Sequence, residues 1–131
     1  MKSIPTILPI YAAIFAIFFI VLSIRTIRQR RNLKIGLGDA GNKDMQRAMR
    51  VHANFAEYVP LSLLMIYLVE QSGVYAWFVH ALCMGLLIGR MSHAYGVSQQ
   101  RENFAFRVTG MTLTFTVLIA SAAHLLWVVV K

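Results

Sequence analysis

Four long apolar stretches, separated by short polar segments, dominate the pattern of residues along the chain. At 1.5 Å per residue, each stretch is long enough to form a helix that crosses a hydrocarbon layer about 30 Å thick. The segments between them hold the glycines and amides that are typical of surface loops. We therefore predict one domain over residues 1–131, with helices at about 6–28, 44–71, 75–95 and 104–130.

The first apolar stretch begins like a secretory signal peptide, because it follows a lysine near the N-terminus. It is nearly twenty residues long, however, and no small-x-small cleavage site with a soluble domain behind it follows. The stretch therefore predicts a transmembrane helix, with Pro9 in its first turn, where proline is tolerated. In the second helix we expect Asp44 as the N-cap and a kink at Pro60.

A polar stripe runs along the first half of the second predicted helix. Because each helical residue advances by about 100°, four polar side chains fall within an arc of about 80°, and His52 falls on the other side. The stripe comprises Arg47, Arg50, Asn54 and Glu57. An ionised group near the centre of a bilayer costs about 2.5–3.5 kcal/mol. The stripe must therefore face a protein interior, a water-filled cleft or a ligand.

The composition is that of a membrane protein. Hydrophobic residues make up 58% of the chain and charged residues only 14%, whereas soluble domains carry about 25% charged residues. Four spans joined by short loops predict an antiparallel helical bundle. The single cysteine, Cys83, lies in an apolar stretch, so we expect a buried thiol and no internal disulfide.

The basic residues are unevenly distributed and predict the orientation in the membrane. The net charge is +8, and eight of the thirteen lysines and arginines lie between Arg25 and Arg50, with Arg101 in the loop after the third helix. Such a cluster between two spans is explained by cytoplasmic positive charge, and not by nucleic-acid binding. The opposite side carries only Lys2, Lys131 and Glu70. Both termini are therefore expected to face away from the cytoplasm.

Polar residues from all four helices are expected to meet at the cytoplasmic level of the bundle. Arg30 and Arg31 close the first helix, and the polar stripe opens the second. Arg90 and His93 lie one turn apart near the end of the third helix, and Arg107 lies in the first turns of the fourth. This convergence predicts a binding site. By contrast, the four-residue spacing of Ala81, Gly85 and Gly89 predicts close helix packing.

The converging groups suit a small anion that also carries one ammonium group. Arginines bind carboxylates through paired hydrogen bonds, Glu57 would take the ammonium, and Asn54 can both donate and accept. Glutathione, with two carboxylates, one ammonium and a thiol, fits these groups, and an anionic lipid headgroup fits nearly as well on charge. A zinc site is not expected, because His52 and His93 have no partner cysteines.

Three other interpretations of the polar residues stay open. The basic run from Arg25 to Lys34 is explained first by topology and contact with lipid headgroups, and the alternative is that Arg30 or Arg31 reaches into a site beside the bundle. Glu57 could pair with Arg47 or Arg50 in a buried network that only orders the bundle. A transporter is less favoured, because four spans without an internal repeat are few for one.

The second helix carries a spacing that resembles the signature of the MAPEG superfamily, membrane-associated proteins in eicosanoid and glutathione metabolism: Arg47-x-x-Arg50-x-x-x-Asn54-x-x-Glu57-Tyr58-x-Pro60. The resemblance extends over nearly the whole chain, through its length, its four spans and the polar pairs that close the first and third helices. It is greatest to the short bacterial members.

The resemblance implies an all-α integral membrane protein, an antiparallel four-helix bundle that assembles as a homotrimer in a bacterial inner membrane. It implies a glutathione-dependent transferase or peroxidase that acts on lipophilic electrophiles or hydroperoxides. Glutathione would bind as co-substrate at the subunit interface near the cytoplasmic side. The expected partners are a second copy of the chain, membrane lipids and a lipophilic small molecule, with neither metal nor nucleic acid.

The resemblance also implies roles by position. Glutathione would be held by Arg47, Arg50, Asn54, Glu57, Tyr58, Arg90 and His93. The catalytic candidates are Arg107, Arg30 and Arg31. Arg107 would stabilise the glutathione thiolate, because a nearby cation lowers the pKa of a thiol. Arg30 or Arg31 would reach the site from the cavity edge or from the neighbouring subunit.

The chain departs from the characterised enzymes near the end of the third helix. Four residues after His93, where several of the enzymes have a tyrosine, it has Val97, and the following loop shifts the spacing to Arg107. The ligand-holding spacing is intact, whereas the departures at Val97 and in the loop before Arg107 concern the chemical step. The alternative is a non-catalytic membrane protein whose basic pocket binds an anionic lipid or only stabilises the trimer.

Overall fold

The structure, a computed structural model, describes residues 4–101 and 103–131. Within these ranges the regular elements are four α-helices: α1 Leu8–Leu33, α2 Lys43–Gln71, α3 Ala76–Ser98 and α4 Phe104–Val130. The predicted all-α, antiparallel four-helix architecture is confirmed. Lys2, which entered the prediction of orientation, lies outside the described residues.

Helix α1 continues past the predicted end near residue 28 and includes Arg30 and Arg31 in its last turn. The residues after the apolar stretch are mainly arginine and glutamine, which favour helix, and the long arginine side chains can extend into water. The helix therefore continues past the end of the apolar stretch. It ends at Lys34, which is left-handed (φ 54°) and donates its backbone N–H to the carbonyl groups of the last turn.

The predicted N-cap of α2 is wrong. Asn42, and not Asp44, caps the helix, since Asn42 Oδ1 accepts the backbone N–H groups of Asp44 and Met45, each at 3.0 Å. Asp44 lies in the first turn instead, where its charge is favourable near the helix N-terminus. Helix α2 continues through Pro60 to Gln71.

Helices α3 and α4 approach each other closely at two glycines. A methyl group at Gly110 would lie 2.6 Å from the carbonyl oxygen of Gly89 and 2.7 Å from the backbone nitrogen of His93. The predicted close packing therefore holds at Gly89, and at Gly85, where a methyl group would meet Val117 at 3.2 Å. Ala81, in contrast, is exposed.

The buried core follows the length of the bundle and leaves apolar faces outside. It includes Phe15 and Leu22 of α1, Phe55 and Ile66 of α2, and Leu86 of α3. Helices α1 and α4 are long and apolar enough to cross a membrane, and only 11% and 17% of their most apolar stretches are buried. Their outer faces therefore suit contact with lipid.

Candidate functional site

A basic cavity opens where the start of α2, the end of α3 and the start of α4 meet. Its volume is about 310 Å³, within the usual range of ligand pockets. It is lined by Lys43, Gln46, Arg47, Arg50 and Asn54 of α2, His93 and Val97 of α3, and Arg107 of α4. The structure thus brings together residues from three of the four helices that were predicted to converge.

The α2 wall of this cavity arises from helical periodicity. Lys43, Gln46, Arg47, Arg50 and Asn54 follow one another at spacings of one, three or four residues, and they share one face. Two of them, Lys43 and Gln46, were missed by sequence reasoning. The same periodicity, continued one turn towards the N-terminus of the helix, would have found them.

A second, apolar cavity of about 380 Å³ adjoins the basic cavity. Asn54, His93 and Arg107 line both. The rest of the apolar cavity comes from α4: Phe104, Val108, Met111, Thr112 and Phe115. The three shared residues therefore stand at the junction between a cationic space and an apolar one. Sequence reasoning missed this α4 wall, because apolar residues on a membrane helix give no separate signal.

Arg90 lies beneath the junction, and the cavity walls do not include it. It is only 2% exposed. Its Nη1 donates to Asn54 Oδ1 at 2.6 Å, and its Nη2 donates to Thr114 Oγ1 at 2.6 Å and to the Gly110 carbonyl at 3.2 Å. The buried guanidinium therefore joins α2 to α4 through side-chain and backbone oxygens.

Glu57, the last residue of the predicted stripe, and its neighbour Tyr58 do not line the cavity walls. Tyr58 is half-buried, lies edge-on to Phe115 at 5.8 Å, and has its ring 5.6 Å from Arg90 Cζ. Glu57 is exposed on the outside of α2. The stripe is thus divided: its first three residues line the cavity of this chain, while its carboxylate faces outward.

The arginine pair that closes α1 also lies away from the basic cavity. Arg30 donates from Nη1 to the carbonyl of Gly38 at 2.9 Å, which fastens the loop after α1. Arg31 is exposed in the last turn. In a single chain, neither residue lines the two cavities.

The end of α3 is held in place by arginines of the other helices. Arg47 donates to the carbonyl groups of Val97 at 3.2 Å and Gln100 at 3.4 Å. Arg25 donates to Ser98 Oγ at 2.6 Å. Cations near the C-terminus of a helix are favourable because the last carbonyl groups have no intrahelical partner. These contacts fix the side of the cavity that Val97 forms.

The other three histidines lie away from the site. His52 faces α1, on the side opposite to the stripe as predicted, with its Nε2 3.0 Å from Ser23 Oγ. His80 lies 3.0 Å from the Tyr11 hydroxyl, and His124 lies 2.8 Å from Ser72 Oγ. Within residues 4–101 and 103–131, no three or more histidine, cysteine or acidic side chains are grouped to hold a metal ion.

The charge of the basic cavity favours anions. Lys43, Arg47, Arg50 and Arg107 contribute four cations, and the residues that line the cavity include no carboxylate. Guanidinium groups bind carboxylates and phosphates through paired hydrogen bonds. The cavity is therefore chemically suited to an anionic ligand, and the apolar cavity beside it to a lipophilic one.

Comparison with known proteins agrees with this architecture. The family model described as "MAPEG family" matches residues 8–127. The chain is 31% identical over 118 residues to "Inner membrane protein YecN" of Escherichia coli (strain K12), covering 90% of this chain and 88% of the relative. The protein of the same name from Escherichia coli O6:H1 (strain CFT073) matches with the same identity and coverage. No solved structure matches the chain.

Proposed function

This chain belongs to the MAPEG family and is a membrane protein, and we propose that it is a glutathione-dependent transferase or peroxidase. Its second substrate would be a lipophilic electrophile or hydroperoxide. One observation carries the proposal: the basic cavity and the apolar cavity meet at Asn54, His93 and Arg107. A hydrophilic thiol and a lipophilic acceptor would come together at such a junction.

The basic cavity supports glutathione as the anionic substrate. Its two carboxylates match the guanidinium groups of Arg47 and Arg50, and the cavity volume of about 310 Å³ suits a small ligand. The ammonium of glutathione has no carboxylate partner among the lining residues. Glu57 is exposed on the same helix, so in a homotrimer its carboxylate would face a neighbouring subunit and could complete the site there.

The junction supports chemistry on the thiol. Arg107 lines both cavities, and its cation would favour the ionised form of a thiol bound beside it. In a transfer, the sulfur would form a bond to an electrophilic carbon, and the leaving group would depart with its electron pair. In a peroxidase reaction, two glutathione thiols would reduce one hydroperoxide to an alcohol and water, with formation of the glutathione disulfide.

The location and assembly form part of the same proposal. The YecN relatives are named inner membrane proteins, and we propose that location here too. The basic end of the bundle, which holds the site, would face the cytoplasm, and both termini would face away from it. The functional unit would be a homotrimer embedded in lipid.

A second candidate function is the non-catalytic binding of an anionic lipid. It is favoured by the four cations and the absence of a carboxylate among the lining residues of the basic cavity. A phosphate headgroup needs no ammonium partner, and acyl chains would occupy the adjoining apolar cavity. Basic pockets at the cytoplasmic level of membrane helices commonly bind such headgroups.

Calorimetry of glutathione binding to the detergent-purified protein tests the proposal. We expect binding in the micromolar-to-millimolar range that Arg50→Ala and Glu57→Ala each abolish. Arg28→Ala is the matched control, because Arg28 is an exposed cation outside the two cavities. Screening of aryl halides and hydroperoxides follows. If folded wild-type protein binds no glutathione but retains anionic lipid that Arg50→Ala loses, the second function replaces the first.

A further inference from the structure

We infer that Arg90 is a positioning residue that turns the side-chain amide of Asn54 so that its N–H groups face the junction of the two cavities. Asn54 thereby acts as a hydrogen-bond donor, and the ligand must present an acceptor oxygen at that point. The inference rests on the proposed function for the identity of that ligand as glutathione. The orientation of Asn54 itself follows from the contacts of Arg90.

The contact between Arg90 and Asn54 identifies which atom of the Asn54 side-chain amide is the oxygen and which is the nitrogen. A guanidinium group has only donors, so the amide atom 2.6 Å from Arg90 Nη1 must be the oxygen. The nitrogen is the other arm of the same planar group. Because Asn54 lines both cavities while its oxygen is directed to a buried residue, the N–H groups are left to the cavity side.

Arg90 is itself held rigidly, which makes it an effective anchor. Its Nη2 donates to Thr114 Oγ1 and to the Gly110 carbonyl, and the residue is only 2% exposed. The carbonyl of Gly110 is within reach because α3 and α4 approach so closely there. Rotating the amide of Asn54 would place N–H groups against a guanidinium, which leaves two sets of donors facing each other.

This orientation narrows the ligand chemistry at the junction. The lysine and three arginines of the basic cavity are donors only, and Asn54 now joins them. Of the remaining lining groups, only Gln46 and His93 can accept. A carboxylate or peptide carbonyl oxygen therefore suits the place beside Asn54, whereas an ammonium group does not. For glutathione, this assigns Asn54 to an acceptor oxygen and leaves the ammonium to another part of the site.

A double-mutant cycle tests whether Arg90 acts through Asn54. We expect Asn54→Ala and Arg90→Met each to raise the Kd of glutathione about tenfold, since a hydrogen bond to a charged group is lost. The double variant should bind as either single variant does, because both changes remove one interaction. A hundredfold, additive loss in the double variant would show independent roles and overturn the inference. Asn32→Ala, an exposed asparagine of α1, is the matched control.

A spectroscopic measurement on the wild-type chain covers the case in which the Arg90 variant does not fold. The chain has four asparagines, so selective ¹⁵N-asparagine labelling gives four pairs of side-chain amide signals, and Asn54→Ala identifies one pair. We expect the Asn54 amide signals to shift on saturation with glutathione and those of Asn32, Asn42 and Asn103 to stay. Bound glutathione with an unmoved Asn54 signal overturns the inference.

Inorganic phosphate separates the inference from the proposed function, because it offers acceptor oxygens without the rest of glutathione. If glutathione does not bind but phosphate shifts the Asn54 amide signals, the proposed function fails and the donor role of Asn54 stands. If neither compound shifts them, the donor role is overturned as well.

Discussion

The carboxylate of Glu70, near the end of α2, accepts the backbone N–H of Leu8, the first residue of α1, at 3.0 Å. Its other oxygen accepts the backbone N–H groups of Thr6 and Ile7, both at 2.9 Å. The first N–H groups of a helix have no intrahelical partner, and α1 has no side-chain cap of its own. A carboxylate from a neighbouring helix therefore caps α1 and joins it to α2.

Replacing Glu70 should destabilise the bundle. We expect Glu70→Ala to lower the free energy of unfolding by about 1–2 kcal/mol, because the cap and its charge at the helix N-terminus are both lost. Glu70→Gln should cost less, since it keeps one acceptor oxygen. Thermal unfolding in detergent measures both, with Asn32→Ala, at an exposed position of α1, as the control. Equal stability of Glu70→Ala and wild type would contradict the capping role.

Gly110→Ala should destabilise the protein by about 1–3 kcal/mol or prevent its folding. The added methyl group would meet backbone atoms of α3 at 2.6–2.7 Å, and backbone cannot move aside as a flexible side chain can. Gly36→Ala is the control, because a methyl group there has no neighbour within 4 Å. Unfolding midpoints of the two variants, compared with wild type, check the expectation, and similar midpoints would contradict it.

Much of the fold was predictable because membrane helices leave a strong signal in the sequence. Long apolar stretches and glycine-containing loops gave four helices, and the fourth runs over the predicted residues 104–130. The first and third helices were predicted too short, because Arg30 and Val97 lie beyond the apolar stretches but still inside helices. The cap from Glu70 joins residues more than sixty positions apart, and no local pattern indicates such a pair.

The candidate site was predictable in its parts and not in its arrangement. Periodicity placed Arg47, Arg50 and Asn54 on one face, and the structure lines the basic cavity with all three. That Arg90 lies beneath the cavity, and Glu57 outside it, depends on how α3 rotates against α2 and α4. That rotation depends on the close backbone approach of α3 to α4 at Gly89 and Gly110, a tertiary contact that a single sequence does not reveal.

Filling the apolar cavity should weaken the use of the lipophilic substrate and leave the binding of glutathione nearly unchanged. We expect Val108→Trp to raise the KM for an aryl halide about tenfold, because the indole would occupy the cavity. The Kd of glutathione should stay within twofold, since Val108 does not line the basic cavity. Ile119→Trp, at an exposed position of the same helix outside the cavity, is the matched control. Steady-state kinetics with equal KM values for both variants would contradict an acceptor site here.

Arg107→Ala should impair the chemical step far more than the binding of glutathione. Turnover should fall about 100-fold, because the loss of one charge-stabilising donor costs that much in comparable sites. Without the cation the pKa of the bound thiol should rise, so the acidic limb of the pH–rate profile should move up by about 1–2 pH units. The midpoint pH at which the ultraviolet absorbance of the bound thiolate appears should rise as well. Calorimetry should show a Kd of glutathione within tenfold of wild type.

Arg101→Ala, an exposed arginine of the preceding loop, is the control. Unchanged turnover in Arg107→Ala would exclude this arginine from the reaction, and lost glutathione binding would assign it to holding the substrate instead.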